Sequence, residues 1–158
     1  DDKSFRQQLI HGYVHDQGAS MLGGVGGHAG VFSNATDLSA MMQMFLNGGT
    51  YGGYRYIDSS VIDEYTKCQY CPRNRRGAGF DKPTISLNGG PTTNLVSPSS
   101  FGHSGFTGTY AWSDPKYKIN YVFLSNRVYP DAENWKITKT GIRTKIQRVI
   151  YEAVNDRK

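Results

Sequence analysis

The sequence of 158 residues has little that would announce a function by composition alone. It holds only two cysteines, no internal repeat, and no apolar run approaching the roughly 18 residues of a membrane-crossing helix. A disulfide-stapled scaffold is therefore excluded. The cysteines, Cys68 and Cys71, form the pattern CQYC. A structural zinc site needs further ligands, and His11, His15, His28 and His103 show no matching pair spacing. A redox CxxC would open a helix after a strand. This one follows a helix-like run and precedes Pro72, so it reads as a loop whose thiols are either free or bridged to one another. The N-terminus is too polar for a signal peptide, so the chain carries no address of its own.

Charge is also sparse, at 20% Asp, Glu, Lys and Arg, although the formal balance is +5. The basic residues are dispersed, apart from Arg73, Arg75 and Arg76 and a C-terminal set of Lys136, Lys139, Arg143, Lys145 and Arg148. The second set reads as the solvated face of a helix, and a nucleic-acid partner is not expected. The glycine-rich MLGGVGGHAGVFS lacks both G-x-G-x-x-G and a Gly-Lys-Ser/Thr phosphate loop, so no nucleotide or other cofactor is called for, and no metal.

What is abundant is glycine, with nineteen residues, and tyrosine, with eleven, in a chain long enough for one packed domain. That points to a loop-rich α+β domain of the α/β sandwich type. Residues 1–20 read as a polar leader, a tether or surface segment, ahead of a domain over 21–158. His28 reads as a structural hydrogen-bonder, and His11 and His15 as surface residues. In NATDLSAMMQMFLNGG, Leu38, Met41, Met42, Phe45 and Leu46 share one helical face. Asn34 and Asp37 form a capping pair, and Gly48 and Gly49 supply the stop. YGGYRYI gives a turn and a short strand. DSSVIDEYTKC gives a second helix capped by Asp58 or Ser59, with Val61, Ile62 and Tyr65 inward. Residues 72–98 are irregular, with only GAGFDK strand-like, and so long a loop is usually functional or mobile.

Two strands follow, about 105–112 and 118–125, joined at Asp114-Pro115. The second, KINYVFLSN, is dense enough in apolar residues to be buried on both faces and central in its sheet. The last segment places Ile137, Ile142, Ile146, Val149, Ile150 and Ala153 at the spacing of one long helix packed on that sheet. Two strands make a poor sheet alone, which suggests that more chain belongs to the fold.

Just before the hairpin stands FGHSGFTGTY. Small and polar residues around His103, Ser104, Thr107 and Thr109 have little packing value there. Together with an unpaired backbone N–H they can hold an anion or polarise a carbonyl. FGHSGFTGTYAWSDPKYKINYVFLSNR resembles the third-motif region of serine hydrolases of the β-lactamase / penicillin-binding-protein (transpeptidase-like) family, which carry Lys-Thr-Gly or His-Thr-Gly on an edge strand. GGVGGHAGVFSNATDLSAMMQMFLNGG similarly resembles that family's glycine-plus-helix segment. The likeness runs from about 18 to 152. It is strongest to serine-hydrolase domains of Bacteroidetes-type proteins, some fused behind a family 3 glycoside hydrolase.

The resemblance implies roles. His103 would orient the substrate carboxylate or carbonyl and the proton relay, and Ser104 would hydrogen-bond substrate. Gly105 would keep the strand flat, and the backbone N–H of Phe106 would be an oxyanion-hole donor. The family's nucleophile sits in Ser-x-x-Lys at a helix start. The literal match here, Ser113 to Lys116, falls in a hairpin turn with Pro115 before the lysine and is rejected. Tyr-x-Asn is absent.

The chain is thus expected to be the C-terminal portion of such a fold, incomplete as given, with its nucleophile upstream and no turnover alone. Its parent would act in the periplasm or cell envelope on a β-lactam, peptidoglycan peptide or ester. The alternative is a non-catalytic peptide- or glycan-binding module of the same fold. An exposed sheet edge would invite self-association.

Overall fold

In the computed structural model, residues 2–84 and 90–156 are described; part of the expected irregular loop, 85–89, lies outside them. The element order is α1 (Gln17–Met21), α2 (Ala35–Leu46), β1 (Thr50–Tyr51), β2 (Tyr54–Arg55), α3 (Ser59–Thr66), β3 (Phe101–Ser104), β4 (Tyr110–Asp114), β5 (Ile119–Phe123), α4 (Lys136–Thr140) and α5 (Ile142–Asn155). The three strands β3-β4-β5 form an antiparallel sheet, and β1 and β2 form a separate hairpin. Helices combined with antiparallel sheet match the expected α+β class.

Alternation along the strands sorts the sheet into two faces. Ser104, Tyr110 and Phe123 lie opposite one another, as do Trp112 and Tyr121. These aromatics build the core with Ile146 and Ile150 of α5. Aromatic side chains each bury roughly 150–250 Å². At about 25 cal/mol per Å², each contributes at most about 4–6 kcal/mol. The opposite face, carrying His103, Ala111 and Val122, is covered by α2, where Asn120 Nδ2 donates to Ser39 O at 2.8 Å. Phe45 of α2 continues that layer through Phe80 to Phe101, with ring centroids 5.4 and 5.0 Å apart.

The α2 capping pair forms as expected. Asn34 Oδ1 accepts from Asp37 N at 3.0 Å, and Asn34 Nδ2 donates to Asp37 Oδ2 at 2.7 Å. Asp58 caps α3 by accepting from Ser60 N at 3.0 Å. Not every residue expected to face inward does so. Met42 and Ile62 are buried, whereas Met41, Val61, Tyr65, Ile142, Val149 and Ala153 are exposed. A helix covering only one side of a thin sheet buries a narrower stripe than the apolar pattern offers.

The strand boundaries also need correction. The first expected strand, 105–112, is a turn at Gly105–Thr109 followed by the start of β4, and β3 precedes it as a further strand. Gly108 there has φ +97°, and a Cβ would strike Ser125 Oγ, so the reversal requires glycine. Expected as central, β5 instead pairs only with β4 among the described residues, and β4 is the middle strand. Nor is β5 buried on both faces: Tyr121 is buried and its other residues are half-buried.

GAGFDK forms no strand. Asp81 alone bridges Arg76 and Gly102, and Pro83, lacking an N–H, cannot extend the ladder. The long C-terminal helix is broken at Gly141, whose φ of +62° ends α4 and starts α5. Within it, Arg143 does not belong to the solvated face: its Nη1 donates to Thr109 O at 3.2 Å.

The leader is more ordered than a tether. Arg6 donates to the carbonyls of Val14 and His15 at 2.6 Å each and pairs with Asp2 at 2.7 Å. The expected boundary after residue 20 falls inside α1.

Candidate functional site

His103 and Ser104 end β3, so the His-Ser-Gly triplet closes a strand at the edge of the described sheet. Because neighbours on a strand point to opposite faces, the two side chains part company. Ser104 lines an open depression of about 320 Å³ with Gly105, Phe106, Arg127, Trp135 and Arg143. His103, exposed, is on the α2 face and is absent from that lining.

The turn after the triplet is held tightly. Gly105 N donates to Thr109 O at 2.9 Å, and Gly108 N to Gly105 O at 3.0 Å. Gly105 lies just past the strand, and a Cβ there would collide with Thr109 Oγ1. Arg127 clamps the turn from outside. Its Nε donates to Phe106 O at 2.6 Å, its Nη1 to Ala132 O at 2.7 Å and Asn134 O at 3.1 Å. The guanidinium lies 4.3 Å from the Phe106 ring centroid and 4.0 Å from that of Trp135, within cation–π range. Among the described residues, no backbone carbonyl accepts from the Phe106 N–H.

The leader reaches the same place. His15, expected at the surface, stacks on Phe106 with centroids 5.5 Å apart. Burial, then the Arg6 charge, pull its imidazole below the usual histidine range. His28 is the hydrogen-bonder expected, with Nε2 2.9 Å from Asp16 Oδ1.

Behind His103 lies a charged cluster. Asp81, almost fully buried, meets Arg75 Nη1 at 2.6 Å and Arg76 Nη1 at 2.5 Å. The latter nitrogen is also 3.3 Å from His103 Nε2. Cys68 and Cys71 are bridged, which settles the open alternative; the bridge spans residues 68–71, just ahead of both arginines in the loop. Gln69 N donates to Arg76 O at 2.9 Å across the base of that loop.

Lys82, next along, is buried with Nζ donating to Ser99 O at 3.0 Å. Burial pushes its ammonium down to about 8 from 10.5, against a smaller opposing pull from Asp114. Between those values the unfolded chain binds the proton that the folded chain has released. The unfolding free energy therefore rises with pH from about 8 towards 10. Above pH 10 the slope reverses, because burial pushes the phenols of Tyr110 and Tyr151 upward and only the unfolded chain then ionises. A maximum between these limits is expected in denaturation midpoints measured across pH 7–11, and Lys82→Met should abolish the rising limb.

Sequence spacing did not reveal Arg76, Asp81, Arg127, Trp135 or Arg143 as neighbours of the triplet. Arg76 lies 27 positions from His103, and Arg127 lies 21 from Phe106, so neither contact has a local pattern. In the one Ser-x-x-Lys match, Ser113 is fully buried at the end of β4. Among the described residues, no group of His, Cys, Asp and Glu gathers as a metal would need, and no helix is long and apolar enough to cross a membrane.

Comparison with known proteins gives four matches of interest. The sequence profile of the family described as Beta-lactamase matches residues 2–139. A Salmonella enteritidis PT4 protein named "Putative D-alanyl-D-alanine carboxypeptidase" is 36% identical over 139 residues, covering 85% of this chain and 31% of its own length. A protein of the same name from Salmonella typhi matches with the same identity and coverage. The chain thus spans about a third of the length of these curated relatives. Among solved structures, a penicillin-binding protein homolog from Caulobacter crescentus is 27% identical, covering 56% of this chain and 24% of its own, with a TM-score of 0.43.

Proposed function

The chain belongs to the beta-lactamase family, and from that premise we propose that it supplies one wall of a serine hydrolase site whose attacking hydroxyl lies outside these 158 residues. The observation that carries the reading is the clamped turn after the triplet. Arg127 holds the Phe106 carbonyl, and the neighbouring N–H has no backbone acceptor among the described residues.

The N–H belongs to the Gly105–Phe106 peptide, whose own carbonyl accepts from Gly108 N. An amide held between that bond and the Arg127 clamp suits a developing oxyanion, because it needs no reorganisation when charge appears. Losing one such donor typically costs about 3 kcal/mol of transition-state stabilisation. Ser104, at the depression, would hydrogen-bond substrate, Gly105 would let it approach the turn, and His103 would stand on the opposite side of β3.

The substrate would be an acyl compound: a peptidoglycan peptide ending in D-alanine, a β-lactam or an ester. The carboxypeptidase relatives support the first. The Cys68–Cys71 bridge supports an oxidising compartment such as the periplasm. The outer edge of β5 would take a further strand, from the same parent or a second copy.

The test is acylation by a penicillin or fluorophosphonate probe followed by intact mass. The 158-residue chain should stay unlabelled, and a longer form of the parent bearing an upstream Ser-x-x-Lys should gain one adduct there. An adduct on any serine of the short chain would overturn the placement of the nucleophile. A longer form that binds a D-alanyl peptide without turnover or adduct would favour a binding module instead.

A further inference from the structure

The hydrogen bonds around His103 determine which nitrogen carries its proton. Nδ1 lies 2.8 Å from the carbonyl oxygen of Ser104, an atom that can only accept, so Nδ1 must donate. Nε2 lies 3.3 Å from Arg76 Nη1, a group that can only donate, so Nε2 must accept. Both nitrogens thus have partners that suit the Nδ1–H tautomer.

Arg76 is held for this task. Asp81 anchors it from within the protein, and its backbone pairs with Gly102 on β3 (Asp81 N to Gly102 O at 2.7 Å, Gly102 N to Asp81 O at 3.1 Å). The carboxylate that places the guanidinium is thus tied to the strand that places the imidazole. Arg75 shares the same carboxylate, so two cations face one anion and the cluster keeps a surplus positive charge. The Arg76 side chain is 47% exposed, which leaves N–H groups open to solvent.

We infer that Arg76, positioned by Asp81, fixes His103 as the Nδ1–H tautomer and takes over from it the presentation of hydrogen-bond donors and positive charge on that side of β3. The inference rests on the reading that His103 flanks the reacting site, and it deepens that reading. The imidazole becomes a support for the guanidinium, and a substrate group meeting this wall meets Arg76. An acceptor-rich or anionic group is the class that it would hold.

The tautomer is read directly from the 158-residue chain by two-bond ¹H–¹⁵N correlation spectra of the histidine rings, recorded with His103 neutral. The wild type should show a pyridine-like Nε2 and a pyrrole-like Nδ1. Arg76→Ala should shrink that separation, since only the Ser104 carbonyl then favours Nδ1–H and the Nε2–H form gains population, while the backbone spectrum stays folded. Arg76→Met provides the same removal of donors with the side-chain bulk retained, should alanine disturb the loop.

A wild-type spectrum with Nε2 protonated would overturn the inference, as would an unchanged His103 pattern in both variants. No turnover is needed for this measurement. A longer parent that proves inert would sink the hydrolase proposal and leave the tautomer result standing.

Discussion

Replacing Asp114 by alanine is expected to lower the unfolding free energy by about 3–5 kcal/mol, the range for leaving a buried charged network with one partner removed. The carboxylate is fully buried at the end of β4. It accepts from Ser97 Oγ at 2.6 Å, Ser97 N and Tyr151 OH at 2.8 Å each, and Lys116 N at 3.0 Å. One side chain thus joins the loop before β3, the β4–β5 turn and α5. Removing it strands buried donors that have no water to turn to, and each costs about 1–3 kcal/mol. Urea denaturation should show the loss as a lower midpoint with an unchanged slope. Asp114→Asn, which retains an acceptor, should lose less. A loss below about 1 kcal/mol for the alanine variant would mean that the network is not holding these elements together.

Arg127→Ala is expected to be nearly as damaging, by about 3 kcal/mol, because charge-assisted hydrogen bonds contribute roughly 1.5–3 kcal/mol each and the aromatic contacts add to them. Its local effect should be larger than its global one. Without the fork, the carbonyls of Phe106, Ala132 and Asn134 lose their donor, and the Phe106 and Trp135 rings lose the cation between them. Amide exchange in residues 105–109 should accelerate more than in β4. Arg127→Lys should recover only part of the loss, since an ammonium cannot reproduce the planar fork. In a longer, active parent, loosening the Phe106 amide should reduce acylation by about 100-fold, the scale of a roughly 1 Å misplacement. Equal rates in the variant and the parent would show that this amide takes no part.

Much of the fold was legible because its signals are local. The α2 cap, the Asp58 cap, the Gly48–Gly49 stop and the turn with its short strand β2 depend on residues a few positions apart. Lateral order was not legible. KINYVFLSN reads as a central strand, but pairing depends on which chain lies alongside, and among the described residues β5 has one neighbour, β4. The break at Gly141 was masked by an apolar pattern that continues across it, since periodicity records faces and not backbone handedness. The triplet drew notice through its polarity before a buried strand, whereas its partners Arg76, Asp81 and Arg127 are ordinary charged residues at long range.

The sequence by itself determined the family, the α+β class, the helix caps and the unusual chemistry around His103, because each is written in residue types at short spacing. Only the tertiary structure decided that β3 closes at Ser104, that Cys68 and Cys71 are joined, that Arg127 grips the Phe106 carbonyl, and that Arg76 reaches His103. Those outcomes depend on which distant groups come within about 3 Å of each other. A one-dimensional pattern does not contain that distance until the hydrophobic layers on both sides of the sheet have packed.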